Sequence, residues 1–186
     1  MNVYPIRLGA VVLAVVALAG CKQAQDGSPG EASAPASQPA VALGIGDAFA
    51  AADDTMRPLD PSGLTSLGNA ITCSVDSINE TAASDGVMLS RSERARFSGF
   101  IQAKTLEQPS ILVLRSDAGA YFVRNTPTAE RKDIAASKGL TDSSAFDYST
   151  YGALEQVAPG VYTVELVGNE AAGNSRCNSS VVVTIE

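Results

Sequence analysis

The sequence predicts a mainly β protein: an antiparallel β-sandwich with one short helix in a long crossover loop. Two observations support this fold class. Apolar side chains alternate with polar ones in short runs from about residue 69 to the carboxyl terminus, which is typical of half-buried strands. Turn-forming residues, such as Ser116-Asp117-Ala118-Gly119 and Pro159-Gly160, separate the runs. About six or seven short strands of this kind are expected to form two packed antiparallel sheets.

The first predicted strand places Ile71, Cys73 and Val75 on one face. The later predicted strands cover residues 96–104, 111–115, 121–123, 161–167 and 181–185. The runs 111–115 and 121–123 flank a good hairpin turn, so we expect them to pair with each other.

The strand 161–167 alternates most clearly. Its expected inward side chains are Tyr162, Val164 and Leu166, and its expected outward ones are Thr163 and Glu165. The last strand repeats the alternation with Val181, Val183 and Ile185.

Residues 128–139 interrupt the β pattern. Thr128 is a capping residue, good helix formers follow it, and Gly139 ends the run, so we expect one short helix here. The crossover loop is predicted to continue through the Ser-rich and Tyr-rich stretch to Tyr151. Loops of this length in small domains are often functional.

The predicted sandwich resembles the immunoglobulin and fibronectin class, although the chain has no Trp, which disfavours a true antibody-type domain. Three motifs also resemble small β-sandwich modules attached to bacterial cell-surface glycan enzymes: Ser98-Gly99-Phe100-Ile101, Arg131-Lys132-Asp133-Ile134 and Ala158-Pro159-Gly160-Val161-Tyr162. Phe100 stands where those modules usually have Trp.

The amino terminus has the layout of a secretory signal. Arg7 precedes twelve apolar residues, 8–19, which span about 18 Å as a helix and are too short to cross a bilayer. Leu18-Ala19-Gly20-Cys21 resembles the lipobox of bacterial lipoproteins. That resemblance implies cleavage after Gly20 and lipidation of Cys21, and Lys22 after the cysteine implies transfer to the outer membrane. We expect the protein to lie on the periplasmic side of that membrane.

The chain is expected to divide into four parts. Residues 1–20 form the signal peptide, and residues 21–42 form the lipidated cysteine and a disordered tether rich in Ala, Ser, Pro and Gln. Residues 43–68 are predicted to be a loosely packed covering segment, because breaks interrupt their apolar pattern. Residues 69–186 are the predicted β-sandwich domain.

Charge and cysteine content restrict the partners and the compartment. The formal charge of −7 becomes −8 when Arg7 leaves with the signal, so we expect no binding to nucleic acid. The trio Arg91, Arg94 and Arg96 is a candidate cationic stripe, although such a trio is usually a solvated strand face. With Cys21 given to lipid, Cys73 and Cys177 remain and are expected to form a disulfide, since that compartment is oxidising.

The sequence offers little catalytic equipment. Histidine is absent, and no nucleophile elbow, phosphate loop or Cys-x-x-Cys motif is present. We therefore predict a protein that is not an enzyme, with no catalytic residues, cofactor or resident metal. Two acidic groups leave calcium binding open: Asp53, Asp54 and Asp60, and the pair Asp142 and Asp147.

Tyrosines are the best candidates for binding. Tyr148 and Tyr151 fall in the predicted loop, and Tyr121 is a further candidate; core packing is the more common role for such tyrosines. The leading hypothesis is an outer-membrane-anchored lipoprotein that binds an envelope protein or glycan. One alternative is a periplasmic inhibitor or immunity protein that blocks a hydrolase with its acidic loop, and another is a carboxylate-dependent glycan hydrolase.

Overall fold

A computed structural model describes residues 41–84, 86–141, 143–170 and 173–186. It confirms the predicted fold class: these residues form two mainly antiparallel β-sheets. In spatial order, sheet A contains β1 (Arg57–Leu59), β7 (Gly119–Asn125), β6 (Ser110–Ser116), β10 (Gly160–Glu170), β11 (Gly173–Ile185) and β4 (Val87–Leu89). Sheet B contains β3 (Thr81–Ala82), β2 (Cys73–Ile78), β5 (Arg94–Ala103), β9 (Ser144–Ala153) and β8 (Pro127–Glu130). The helices are α1 (Ile45–Ala48), α2 (Ser62–Thr65) and α3 (Lys132–Lys138).

The alternation read from the sequence matches the core between the sheets. The inward side chains of β10 and β11 are buried as expected: Tyr162, Val164, Leu166, Val181, Val183 and Ile185. Strands β6 and β7 form the predicted hairpin, in which Ser116 pairs with Gly119. Strand β4 runs parallel to the end of β11, and the other strand pairs are antiparallel.

The predicted helix is present but begins later than expected. It starts at Lys132 rather than at Thr128, and Gly139 ends it in the left-handed conformation with φ 67°, where glycine is favoured. Thr128 lies instead in β8, which pairs with the edge of β9. Pairing with a neighbouring strand therefore overrides the local helix signal.

The predicted crossover loop up to Tyr151 is wrong, because residues 144–153 form strand β9 in the interior of sheet B. All ten residues of β9 pair with β5. The alternation of this strand was hard to see because its buried face includes Tyr148, Thr150 and Gly152 in place of aliphatic side chains.

The segment 43–68 is not the loosely packed cover that the sequence predicted. Strand β1 is an edge strand of sheet A, and Leu64 of α2 is completely buried. Together with Ile45, Phe49 and Leu59, Leu64 packs on the outer face of sheet A, against Ile111, Val113, Phe122 and Val167. Strands β6 and β10 carry apolar side chains on both faces over this region, so the outer face also needs a cover.

Cys73 and Cys177 lie at disulfide-bond distance, with a Cα–Cα separation of 6.0 Å, which suits a disulfide. This confirms the predicted pairing. Cys73 is on β2 and Cys177 is on β11, so the bond joins the two sheets.

The predicted signal peptide 1–20, Cys21 and the predicted tether up to residue 40 lie outside the described residues. Among the residues that are described, no helix is long and apolar enough to cross a membrane.

Candidate binding groove

Tyr148, one of the three candidate binding tyrosines, is a core residue. Its side chain is 2% exposed and packs between the sheets. The hydroxyl group donates a hydrogen bond to the backbone oxygen of Ser74 at 3.1 Å. Burial raises the pKa of the Tyr148 hydroxyl well above its usual value, with a smaller contribution from Asp76. This tyrosine is therefore not accessible to a partner, which corrects the expectation of a binding role.

Tyr151 is three residues further along β9 and so faces outward, with 42% of its surface exposed. The guanidinium groups of Arg94 and Arg96 lie 4.7 and 5.9 Å from the centre of its ring, within the range of cation–π interaction. Two members of the candidate cationic stripe thus meet a candidate tyrosine on the outer face of sheet B.

Acidic neighbours neutralise these arginines. Arg94 pairs with Asp54, and Arg96 pairs with Glu80 at 3.2 Å. The third member of the trio, Arg91, points elsewhere and donates to the backbone oxygen of Glu155 at 2.7 Å. The stripe therefore offers little free positive charge.

Tyr121 belongs to sheet A and lies at one end of the sandwich, away from the outer face that carries Tyr151. Its ring centre is 6.0 Å from that of Tyr162 in an edge-to-face arrangement. Both hydroxyl groups are held by Ala158: the Tyr121 hydroxyl accepts from its N–H at 3.3 Å, and the Tyr162 hydroxyl donates to its carbonyl at 2.8 Å. The structure therefore does not bring the three predicted tyrosines together.

Two adjoining hollows meet at the turn between β6 and β7. We call the first the end hollow; it has a volume of about 300 Å³, and Tyr121, Pro159 and Tyr162 form part of its wall. The second, the face hollow, has a volume of about 470 Å³ and opens on the outer face of sheet A. Ser116, Asp117 and Val161 line both hollows. Because the two hollows share these three lining residues, we refer to them together as the groove.

Glu165 is a buried charged residue beside the face hollow. It is 4% exposed and lies between two arginines, with its Oε1 atom 3.4 Å from Nη1 of Arg115 and 3.7 Å from Nη1 of Arg176. Within the described part of the chain, no group donates a hydrogen bond to its Oε2 atom, and Nη1 of Arg176 also lacks a hydrogen-bond partner. A buried carboxylate oxygen without a donor is costly, so this arrangement needs an explanation.

Sequence reasoning placed Glu165 correctly on the outward face but did not single it out as a candidate site residue. A carboxylate in the middle of an otherwise apolar strand was the signal that could have drawn attention to it. The arginines that contact it come from two neighbouring strands, which only the strand order reveals.

An irregularity in β11 shapes the face hollow. Thr163 pairs with Val182 and Glu165 pairs with Asn178, so β11 carries two more residues than β10 between these pairs. Ser180 adopts φ 63° inside this bulge. The Ser179 hydroxyl donates to the Val164 carbonyl at 2.7 Å, which ties the bulged strand to its neighbour.

The acidic groups considered for calcium are engaged by protein groups. Asp53 pairs with Arg57, and Asp54 pairs with Arg94 as described above. Asp60 accepts a hydrogen bond from the Ser62 N–H at 2.9 Å, which lowers the pKa of its carboxyl group.

The second acidic group is also paired where it is described. Asp147 accepts from Arg131 at 3.0 Å, and Asp142 lies outside the described residues. Arg131 also binds Asp133, and this hydrogen bond lowers the pKa of Asp133 to about 2. Within the described ranges, no cluster of three or more Cys, Asp or Glu residues is arranged to hold a metal ion.

No family model, no curated protein and no solved structure matches this chain.

Proposed function

We propose that the mature protein is an outer-membrane lipoprotein, anchored through Cys21 on the periplasmic side, whose β-sandwich binds an envelope protein or glycan without catalysis. The observation that carries the binding role is the groove at the β6–β7 turn. It is concave, and it combines aromatic, apolar and charged side chains.

The lipobox carries the proposal of an anchor. Each buried CH₂ group of an acyl chain contributes about 0.8 kcal/mol, and stable attachment requires more than one chain. Acylation of the kind found in bacterial lipoproteins meets this requirement. About 20 tether residues have a root-mean-square reach of roughly 25 Å, which holds the sandwich clear of the lipid headgroups.

The size and chemistry of the groove favour binding of a ligand. Ligand sites are typically clefts of roughly 300–1,000 Å³ with apolar walls and a few placed polar groups, and both hollows lie in this range. Val161 is 60% exposed in the shared wall, while most of its apolar neighbours along β10 are buried. Val182, which is 37% exposed, lies in the same lining, so the two valines supply apolar contact beside the polar groups.

The inhibitor hypothesis depended on an acidic loop that ends at Tyr151. Residues 144–153 form strand β9 instead, and Asp147 on this strand is paired with Arg131. The groove supports direct binding of an envelope component better than it supports this alternative.

Metabolic labelling with a palmitate analogue tests the anchor. We expect the label to appear on the wild-type protein and to be absent from a Cys21→Ala variant, because the thiol is the acylation site. We also expect the labelled protein to fractionate with the outer membrane. A wild-type protein that is unlabelled and soluble after cell breakage contradicts the proposed anchor.

Photocrosslinking in the intact envelope tests the binding surface. A photoreactive amino acid in place of Val161 is expected to give a discrete adduct. The matched control replaces Leu106, which is also apolar and exposed (40%) but follows β5 at the opposite end of β6. Equal adducts from the two positions, or none from Val161, contradict binding in the groove.

A further inference from the structure

We propose that the groove binds a neutral oligosaccharide, with Tyr121 as a stacking surface in the end hollow and Arg115 as the principal hydrogen-bond donor in the face hollow. This inference rests on the proposed function and names the ligand class of the same site.

The charges around the groove balance. Asp117 and Glu165 are negative, and Arg115 and Arg176 are positive. A local field of this kind does not select a strongly charged ligand, and the mature chain, with a net charge of −8, repels polyanions. A neutral ligand with many hydroxyl or amide groups fits these electrostatics best.

The tyrosine pair gives the end hollow a rigid aromatic wall. Because the backbone of Ala158 holds both hydroxyl groups, the ring of Tyr121 is fixed in place before any ligand arrives. Tyr121 is partly exposed, whereas Tyr162 behind it is 2% exposed. A fixed aromatic ring offers large contact area at a low entropic cost, which suits the flat apolar face of a sugar ring.

Arg115 gives the face hollow a hydrogen-bond donor, and the buried Glu165 holds its guanidinium group in place. The Arg115 side chain is 29% exposed, and a guanidinium group has five N–H donors. Its Nη1 atom contacts Oε1 of the buried Glu165 at 3.4 Å, which leaves other N–H groups of the guanidinium for a ligand. A sugar hydroxyl group can accept a hydrogen bond from one of them.

A protein partner fits the groove less well. The large exposed apolar side chains in its walls are Val161 and Val182, at 60% and 37%, and the other exposed apolar ones, Ala118, Ala158 and Pro159, are smaller. Stable protein interfaces bury about 800 Å² per partner around an apolar core.

The third hollow described in the structure offers a weaker case. It has a volume of about 440 Å³ and lies beside β3 and β4, where Ile78, Met88 and Glu93 form part of its wall. It lacks both an aromatic side chain and a buried charged group without a partner.

The test is titration of the mature protein, observed by NMR and calorimetry. The probes are the tetramer of N-acetylglucosamine, the tetramer of glucose and the anionic tetramer of galacturonic acid. We expect a neutral tetramer to bind and to shift the amide signals of Tyr121 and Val161, and we expect the anionic tetramer to bind at least about tenfold more weakly. Absence of binding by both neutral tetramers, or preference for the anionic one, overturns the inference.

Matched variants localise the binding. Tyr121→Ala is expected to weaken it about tenfold or more, while Tyr121→Phe retains it because the ring remains. Tyr151→Ala removes an exposed tyrosine from sheet B and serves as the control. If Tyr151→Ala abolishes binding and Tyr121→Ala does not, the site is on the other sheet and the inference is wrong.

The hydrogen-bonding half of the groove has its own pair of variants. Arg115→Gln is expected to weaken binding about tenfold. Arg124→Gln makes the same charge change at an exposed position on β7 outside the hollows and is expected to leave the affinity unchanged. Equal effects of the two substitutions contradict a direct role for Arg115. Circular dichroism of each variant shows whether the fold is intact.

Failure of this inference is distinguishable from failure of the proposed function. A protein adduct at Val161 without binding of any tetramer keeps the groove as a binding site and excludes the oligosaccharide. No adduct at Val161 and no binding of tetramers excludes both.

Discussion

Replacement of Leu64 by Ala tests whether the segment before the first sheet-B strand is an integral part of the fold. Leu64 is completely buried on the outer face of sheet A, in one cluster with Phe49 and Phe122. The substitution removes three carbon atoms, worth roughly 0.8 kcal/mol each, and leaves a cavity that adds to the loss. We therefore expect the free energy of unfolding to fall by about 3 kcal/mol.

Urea unfolding of the purified mature protein, followed by circular dichroism, measures this change. Leu64→Met nearly conserves the volume and is expected to cost less than about 1.5 kcal/mol. Val41→Ala, at a position that is 85% exposed, is expected to change stability by less than about 0.5 kcal/mol. A loss below about 1 kcal/mol for Leu64→Ala would refute the reasoning, because a loosely attached segment behaves in that way.

Three further predictions concern the frame of the sandwich. Cys73→Ala and Cys177→Ala, alone or together, should each lower the free energy of unfolding by about 4.7 kcal/mol, which is the chain-entropy value for a separation of 104 residues. Urea unfolding measures this loss. A double variant that is clearly less stable than both single variants would contradict a shared bond. Gly99→Ala should lower the free energy of unfolding by more than about 3 kcal/mol, because the added Cβ would overlap the backbone of β2. Gly46→Ala places its Cβ in open space and should change the stability little. Similar melting temperatures for the two variants would refute this prediction. Burial raises the folded pKa of Tyr148 above the ordinary 10.0, so its stabilising contribution should be complete below pH 10 and be lost as the pH rises further. The Tyr148→Phe variant should lose less stability than the wild-type protein as the pH rises above 10. An identical decline of the two proteins with pH would argue against Tyr148 as the titrating group.

Much of the fold can be predicted from the sequence where a strand buries only one face and the buried side chains are aliphatic. The strands at 161–167 and 181–185 and the hairpin at Ser116–Gly119 follow from alternation and turn chemistry alone. The pairing of Cys73 with Cys177 was predictable from the two cysteines that remain once Cys21 is assigned to the expected lipid anchor.

Two strands, β9 and β8, were not predicted from the sequence, because their residues are unusual for strands. Strand β9 presents Tyr148, Thr150 and Gly152 to the interior, so its pattern resembles that of a polar loop. Thr128 is a good helix-capping residue but lies in strand β8, because pairing of β8 with β9 contributes more to stability than the local preference for a helix.

The candidate site was only partly predictable, because its residues come together through strand order. Tyr121 was chosen for its chemistry, yet its partner Tyr162 lies 41 positions away in the sequence and meets it only through packing at the end of the sandwich. Arg115, Glu165 and Arg176 belong to three adjacent strands of sheet A, and no local pattern announces that they meet.

The sequence by itself determined the β class, the inward faces of β2, β10 and β11 and the cysteine pair, because each depends on short-range periodicity or composition. The lipid anchor, which rests on a contiguous motif, stays a prediction. The tertiary structure alone decided that residues 43–68 complete sheet A, that Tyr148 is buried, and that a groove forms beside Glu165. These features depend on which strands become neighbours. The strand order is set by the burial of apolar side chains on two sheet faces at once.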